Sequence, residues 1–208
     1  MEKIAILGAS GHGRVVAEIA ELTGWNKIIF FDDNVDGGQN VIKWPIFGNL
    51  EKLCSSQDSF DGIHIAIGNN QVRKKLFNTL PYKKIVSLIH PSALISNSAS
   101  IGRGTSIMAN AVVNAEATIG DGVIINTAAT IDHSCNIEDF AHISPGSNLA
   151  GGVNIGVFSW VGIGSSITQN CSVGNNVTIG AGSTVLSDIP DNCVAFGTPC
   201  RVVRENRP

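Results

Sequence analysis

Charge is scarce in this sequence. Asp, Glu, Lys and Arg make up 15% of its 208 residues, well under the usual quarter. Aromatic residues are 6%, with a single Tyr, and Met occurs twice. With 43% hydrophobic residues, the chain is not disordered, since disorder needs low hydrophobicity and high charge. It is also no coiled coil, which needs abundant Glu, Lys and Arg. There is no excess of basic residues. A net charge of −3 and a pI near 5.9 argue against general affinity for nucleic acid. No apolar run of about 18 residues occurs, so no membrane span is expected. Met1-Glu2-Lys3-Ile4 runs directly into a strand-like stretch, so no signal peptide is expected. The five cysteines (Cys54, Cys135, Cys171, Cys193, Cys200) are odd in number and lack CxxC spacing. That pattern points to reduced thiols, a cytoplasmic location and no disulfide framework.

What the chain has in plenty is Gly, at 23 residues, and a repeat. Every sixth position from Ile89 to Val185, 17 in all, is Ile, Val or Leu. At random usage the odds of this are about one in a billion, so the period is real. The position four after each aliphatic is mostly small, as at Ala99, Thr105, Ala129, Ser147 and Cys171, and Gly often follows the aliphatic directly, as at Gly102, Gly120 and Gly156. A period of six fits neither a helix nor an alternating strand. It fits a coil with flat faces, each a short strand and a corner. The aliphatic points inward, the small residue sits near the corner, and Gly and Asn tolerate the corner backbone. Three faces make one turn, so five to six turns stack into a prism roughly 25–30 Å long. The pattern resembles the hexapeptide-repeat acyltransferases. That resemblance implies an all-β left-handed parallel β-helix over residues 89–208.

Residues 1–88 read as a short α/β unit. Lys3–Leu7, Ile28–Phe31, Gly62–Ile67 and Lys84–Leu88 look like strands, and Arg14–Leu22 has apolar residues at helical spacing. A second helix follows Asn70 and carries Arg73, Lys74 and Lys75. The arrangement is Rossmann-like. The turn Gly8-Ala-Ser-Gly-His-Gly13 could cradle a phosphate at a helix start. Its G-x-x-G-x-G spacing is not the dinucleotide fingerprint, and about 88 residues are too few for two mononucleotide halves. A tight turn without ligand is the bland reading. The preferred one is a nucleotide-sugar site, with Ser10, Gly11 and His12 at phosphates or sugar and Asp32 and Asp33 at hydroxyls or ring nitrogens. Gly68 and Asn69 close the neighbouring strand, where open α/β sheets bind ligands.

In the repeat, His133 lies two residues past the inward Ile131 and should stand on the outside. His142 follows nine residues later, and Asn126, Asp132, Glu138 and Asp139 interrupt the Gly-rich corners around it. A lone surface His is usually inert; this polar cluster is more than a structural repeat needs. Cys135 and Cys171 fall on the small-residue position and read as packing.

The whole chain is similar to the bacterial sugar acetyltransferases of the PglD/NeuD type. The matching stretches are Gly8–Gly13, Phe31-Asp-Asp33, Ile65–Asn70 with Arg73-Lys-Lys75, Leu88–Ser96, Asn126–His142 and Phe196-Gly-Thr-Pro-Cys-Arg201. The resemblance implies homotrimers with active sites between neighbouring prisms, and acetyl-CoA as co-substrate with no metal. It implies that His133 is the general base, with Asn126 supporting substrate or His133. It implies that His142, Gly151, Ile163, Gly164, Gly180 and Ala181 contact acetyl-CoA, and that Gly197-Thr-Pro199 and Arg201 approach its end. The activity implied is N-acetylation of the 4-amino group of a UDP-4-amino-4,6-dideoxy-N-acetylhexosamine of the bacillosamine type, by direct transfer. An imidazole suits that proton transfer. Some relatives carry Glu directly after the motif His, where this chain has Ser134. Other readings remain: O-acetylation of a sialic acid, N-acetylation of another nucleotide-linked aminosugar, a zinc lyase needing three His ligands, and a sugar-binding scaffold without catalysis.

Overall fold

The computed structural model describes residues 2–34 and 38–206. It forms two compact units, Met1–Pro91 and Ser92–Pro208; the sequence reading put the division after residue 88. Met1, Arg207 and Pro208, which that reading included in its two domains, lie outside the described residues.

The first unit runs β1 (Lys3–Leu7), α1 (Gly11–Leu22), β2 (Lys27–Phe31), β3 (Asn40–Val41), β4 (Trp44–Gly48), α2 (Leu50–Ser56), β5 (Gly62–Ile65) and α3 (Asn70–Thr79). The sheet order is β3-β4-β2-β1-β5. β1 pairs in parallel with β2 and β5, β4 in parallel with β2, and β3 antiparallel to β4. Ile4, Ala5, Ile6 and Leu7 are all buried, the unbroken apolar run of a strand flanked by two others. α1 turns Val16, Ala17, Ile19 and Ala20 to the core. It can start so soon after β1 because residue 13 is Gly: a Cβ there would run into the Gly8 carbonyl oxygen.

Two features differ from the sequence expectation. The β3–β4 hairpin and α2 were not foreseen, being short and set by local caps; the Asn49 side chain accepts from Lys52 N–H to start α2. The strand expected over 84–88 is mostly a turn. Lys84 and Ile85 spend their N–H groups on the carbonyls of Pro81 and Tyr82, leaving one bridge, Ile63 to Ile85.

The second unit is a parallel β-helix. On the first face, Leu94–Ile95, Val112–Val113, Thr130–Ile131, Asn148–Leu149, Ser166–Ile167 and Thr184–Val185 stack in order. The second face stacks Ser100–Ile101 through Ser172–Val173. The third holds Ser106–Ile107, Ile124–Ile125, His142–Ile143, Trp160–Val161 and Thr178–Ile179. Partners are one full coil apart throughout, as Ile131 is from Leu149. The repeat aliphatics from Ile107 to Val185 are buried. From Thr105 onward the small position is buried too, and its polar groups reach upward: Thr105, Ser147, Ser159 and Ser165 hydroxyls donate to carbonyls 15 residues on. Cys135 does the same with its thiol towards Ala150. At the top, Cys193–Gly197 adds in parallel beside Thr178–Ile179 and turns back as Cys200–Glu205.

The corners divide their demands between two positions. Left-handed backbone falls three residues after the aliphatic, at Asn110 (φ 59°), Ser134 (φ 59°), Phe140 (φ 57°) and Gly146 (φ 65°) among others. The Gly directly after the aliphatic has another cause: the next coil lies too close. A Cβ on Gly156 would stand 2.6 Å from the carbonyl carbon of Gly174. Gly156→Ala should therefore lower the unfolding free energy of this unit by about 1–3 kcal/mol. Urea unfolding checks this, and an unchanged midpoint would mean the coils are not so closely stacked.

Candidate active site

His133 stands exposed at the corner that leads from the first face to the second. Asp132 shapes this corner. Its Oδ1 accepts from the His133 backbone N–H at 2.8 Å and from Asn114 Nδ2 at 3.0 Å. Those two bonds hold the Asp132 carboxyl below the usual carboxylate range. The imidazole Nδ1 lies 3.4 Å from Ser134 Oγ. One coil above, Gly151 leaves the ring its space: a Cβ there would stand 2.6 Å from His133 Nε2.

Gly151 offers something else. On the corner after the second face, side chains cap the backbone N–H two residues past the aliphatic: Asp121 caps Arg103, Asn175 caps Val157 and Asp191 caps Asn175. Among the described residues, the Gly151 N–H has no such cap. It is a free donor beside an exposed imidazole.

A groove of about 440 Å³ runs along the third face and the corner after it, lined by Asn126, His142, Trp160, Ile163, Gly180 and Ala181 with their neighbours. Its wall is ordered by stacking. His142 and Trp160 occupy matching positions on adjacent coils, with ring centroids 5.6 Å apart and planes at 7°. Trp160 Nε1 donates to Ser144 Oγ at 2.7 Å, and Asn126 Nδ2 meets His142 Nε2 at 3.2 Å. Of the residues expected to hold acetyl-CoA, His142, Ile163, Gly180 and Ala181 line this groove, while Gly151 belongs to the His133 corner. Gly164, at φ 66°, lies just past Ile163 and is not among the lining residues. Asn126 meets His142, not the His133 of its own chain. Within one chain the groove and His133 lie at opposite ends of the first face, on the order of 15–20 Å apart at strand rise.

In the first unit, a pocket of about 300 Å³ opens at the carboxyl ends of β1 and β2, lined among others by Gly8, Asp32, Asp33, Leu50, Lys75 and Thr79. Both Asp32 oxygens are engaged, by Ala9 N–H and Asn34 N–H at 2.8 Å each. Asp33 Oδ1 accepts from Leu50 N–H at 2.8 Å. Ser10 and Gly11 are exposed at the start of α1, and Asn69 caps α3 by accepting from Val72 N–H at 3.0 Å. Ser10, Gly11, His12, Gly68 and Asn69 do not line this pocket. Lys75, from the basic run of α3, does. Trp160 was not foreseen; its place one coil after His142 was the available signal.

A model of the PglD N-terminal domain matches residues 3–80. The acetyltransferase domain of PglB from Neisseria gonorrhoeae FA1090 superposes with a TM-score of 0.92 at 41% identity, covering 98% of this chain and 100% of that one. The chain belongs to the PglD-type family of sugar acetyltransferases. The Neisseria domain has also been solved with acetyl coenzyme A. A GDP-perosamine N-acetyltransferase from Caulobacter crescentus, solved with CoA and GDP-perosamine, gives a TM-score of 0.93 at 32% identity, covering 99% of this chain and 98% of that one. A curated relative, the UDP-N-acetylbacillosamine N-acetyltransferase of Bacillus subtilis (strain 168), is 38% identical over 115 residues. That match spans about half of each chain's length, 52% of both.

Among the described residues of this PglD-type chain, no group of three or more His, Cys, Asp and Glu gathers as a metal site, and no helix is long and apolar enough to cross a membrane. The first unit does gather basic groups inside. His12 Nε2 is buried without a hydrogen-bond partner. His64 is fully buried on β5, its Nδ1 2.8 Å from the Val86 carbonyl oxygen. Arg73, from the basic run of α3, is 1% exposed and donates to the carbonyls of Ile67 and Gly68 and to Asn70 Oδ1. Burial lowers the Arg73 pKa to about 9. Burial first, then His64 and Arg73, lower His12 to about 4. Burial also lowers His64 to about 4, against the Val86 bond that favours its charged form. The unfolded chain takes up these protons near pH 6.5, and the folded unit refuses them until about pH 4. The stability they contribute is therefore complete above pH 6.5 and is lost as pH falls through that window. Melting temperatures should drop between these values, and His12→Gln should flatten part of the slope. A wild-type melting temperature flat across the window would contradict this.

Proposed function

We propose that the protein transfers the acetyl group of acetyl-CoA directly to the 4-amino group of a UDP-linked 4-amino-4,6-dideoxy-N-acetylhexosamine, with His133 as general base. The observation that carries this reading is the pairing of an exposed imidazole with an uncapped backbone N–H at one corner. The amine attacks the thioester carbonyl and gives up a proton to His133. The developing oxyanion meets the Gly151 N–H, a fixed donor that needs no reorganisation. The C–N bond forms, the C–S bond breaks, and the proton passes to the departing CoA thiolate. Neither a covalent enzyme intermediate nor a reactive Cys is required. Burial raises the thiol pKa of Cys135 and Cys171, which suits packing.

Acetyl-CoA occupies the groove of His142, Trp160, Ile163, Gly180 and Ala181, whose apolar wall suits the pantetheine arm. The nucleotide lies at the pocket of Asp33 and Lys75 in the first unit, with the loop from Gly8 to Gly13 beside it. The UDP assignment follows the Bacillus relative at 38% identity; the Caulobacter relative at 32% makes a GDP-linked 4-amino sugar the second reading. A reduced, cytoplasmic enzyme is consistent with free thiols at all five cysteines.

Because His133 and the groove lie at opposite ends of one face, a complete site needs two copies, and a closed homotrimer supplies three such pairs. Thiol release from acetyl-CoA with the UDP-sugar should fall about 10²–10⁴-fold in His133→Ala, or roughly 3–5 kcal/mol of barrier. Release that survives the substitution removes His133 from its role, and faster turnover of the GDP-linked sugar changes the nucleotide. Co-expression tests the shared site. His133→Ala and Ile163→Glu should each be nearly inactive alone, while their mixture recovers about a quarter of the wild-type rate by random assembly around a closed ring. No recovery would return the whole site to one chain.

A further inference from the structure

We propose that Asn126 is a positioning residue that locks His142 as the neutral tautomer carrying its proton on Nδ1. The argument starts at the backbone. Asn126 Oδ1 accepts from Thr127 N–H at 2.8 Å. An amide oxygen accepts and an amide nitrogen only donates, so this bond fixes which way the side chain faces. The reverse orientation would set the Asn126 NH₂ against the Thr127 N–H, donor against donor. With the oxygen committed, the NH₂ is the group that faces His142 Nε2 at 3.2 Å.

Nε2 must then supply a lone pair. A neutral imidazole with its lone pair on Nε2 holds its proton on Nδ1. The tautomer of a side chain on one coil is thus set by the backbone N–H of Thr127, on the coil before it. The ring cannot easily turn to escape. It stacks on Trp160 at 5.6 Å and 7°, and Trp160 is pinned in turn by its bond to Ser144. In the outward column of this face, Ile124 and Trp160 are the rungs on either side of His142. Neither carries a titratable group that would compete for the proton.

The lock fixes which ring nitrogen donates and which accepts at the groove wall, and its purpose rests on the reading of that groove as the acetyl-CoA site. Moving the proton exchanges the two roles. Asn126 acts here through His142 and needs no contact with the reacting atoms of its own chain.

The test uses the intact protein with ¹⁵N-labelled histidine and long-range proton–nitrogen correlation spectra. The wild type should show His142 protonated at Nδ1 and unprotonated at Nε2. Asn126→Asp keeps one oxygen for Thr127 N–H and turns the other, an acceptor, towards Nε2, so the proton should move to Nε2. Asn126→Ala should give a mixture. Asn126→Asp should weaken acetyl-CoA binding in calorimetry by about tenfold, the worth of one hydrogen bond, and Asn126→Ala by less, in proportion to the Nδ1-protonated fraction it keeps. The unfolding temperature of Asn126→Asp should stay near that of the wild type. A purely structural role for Asn126 would leave the tautomer and the affinity of Asn126→Asp unchanged. A wild-type Nε2 proton, or an Asn126→Asp spectrum identical to wild type, overturns the proposal. A wild type with its proton on Nδ1 but no affinity for acetyl-CoA upholds the lock and removes the acyl-donor reading instead.

Discussion

The second unit depends on one interaction, repeated: a branched aliphatic stacked on another one coil away. Ile107, Ile125 and Ile143 form such a column on the third face, with Val161 and Ile179 continuing it, and all five are 0–1% exposed. Burying each side chain is worth about 1.5–3 kcal/mol, and this fixes the coil-to-coil register. Everything outside the prism follows from that register. Gly156 must lack a side chain because the next coil has been drawn so close. The buried hydroxyls of Ser147 and Ser159 can lie inside an apolar core because the register brings a carbonyl to each.

The same register arranges the chemistry. Residues one coil apart meet, so the environment of His133 is written at Gly151 and that of His142 at Trp160. The corner supplies backbone N–H groups that the ladder does not use. Side chains such as Asp121 and Asn175 close some of them off. At Gly151 the N–H is left uncapped beside the His133 imidazole.

The prism was legible in the sequence because a period of six has no other simple use for Ile and Val. The division of labour at its corners was less so. Gly at 102 and 156 and Asn at 110 and 170 look alike as turn residues, yet the first pair answers a close approach and the second a left-handed backbone. In the first unit, β1, β2, β5 and α1 were readable from apolar spacing, while α2 and the β3–β4 hairpin depend on single caps and bends. Arg73 lay within a basic run that says nothing about which member turns inward. Its place one helical turn before the buried Phe77 on α3 decides that. The partner of Asn126 was also out of reach without the coil, since His142 is 16 residues away.

A coil that closes after three repeats also makes the protein's length come in steps. A single inserted residue would swing every later side chain out of register. The insertion of one whole turn would instead lengthen the prism by about 4.8 Å, one inter-strand spacing. Placed above Ala181, such a turn would leave Gly151 over His133 and His142 against the Trp160 indole, with the groove wall entire. The scaffold can thus grow or shrink by duplication beyond the groove without disturbing the surroundings of His133 or His142.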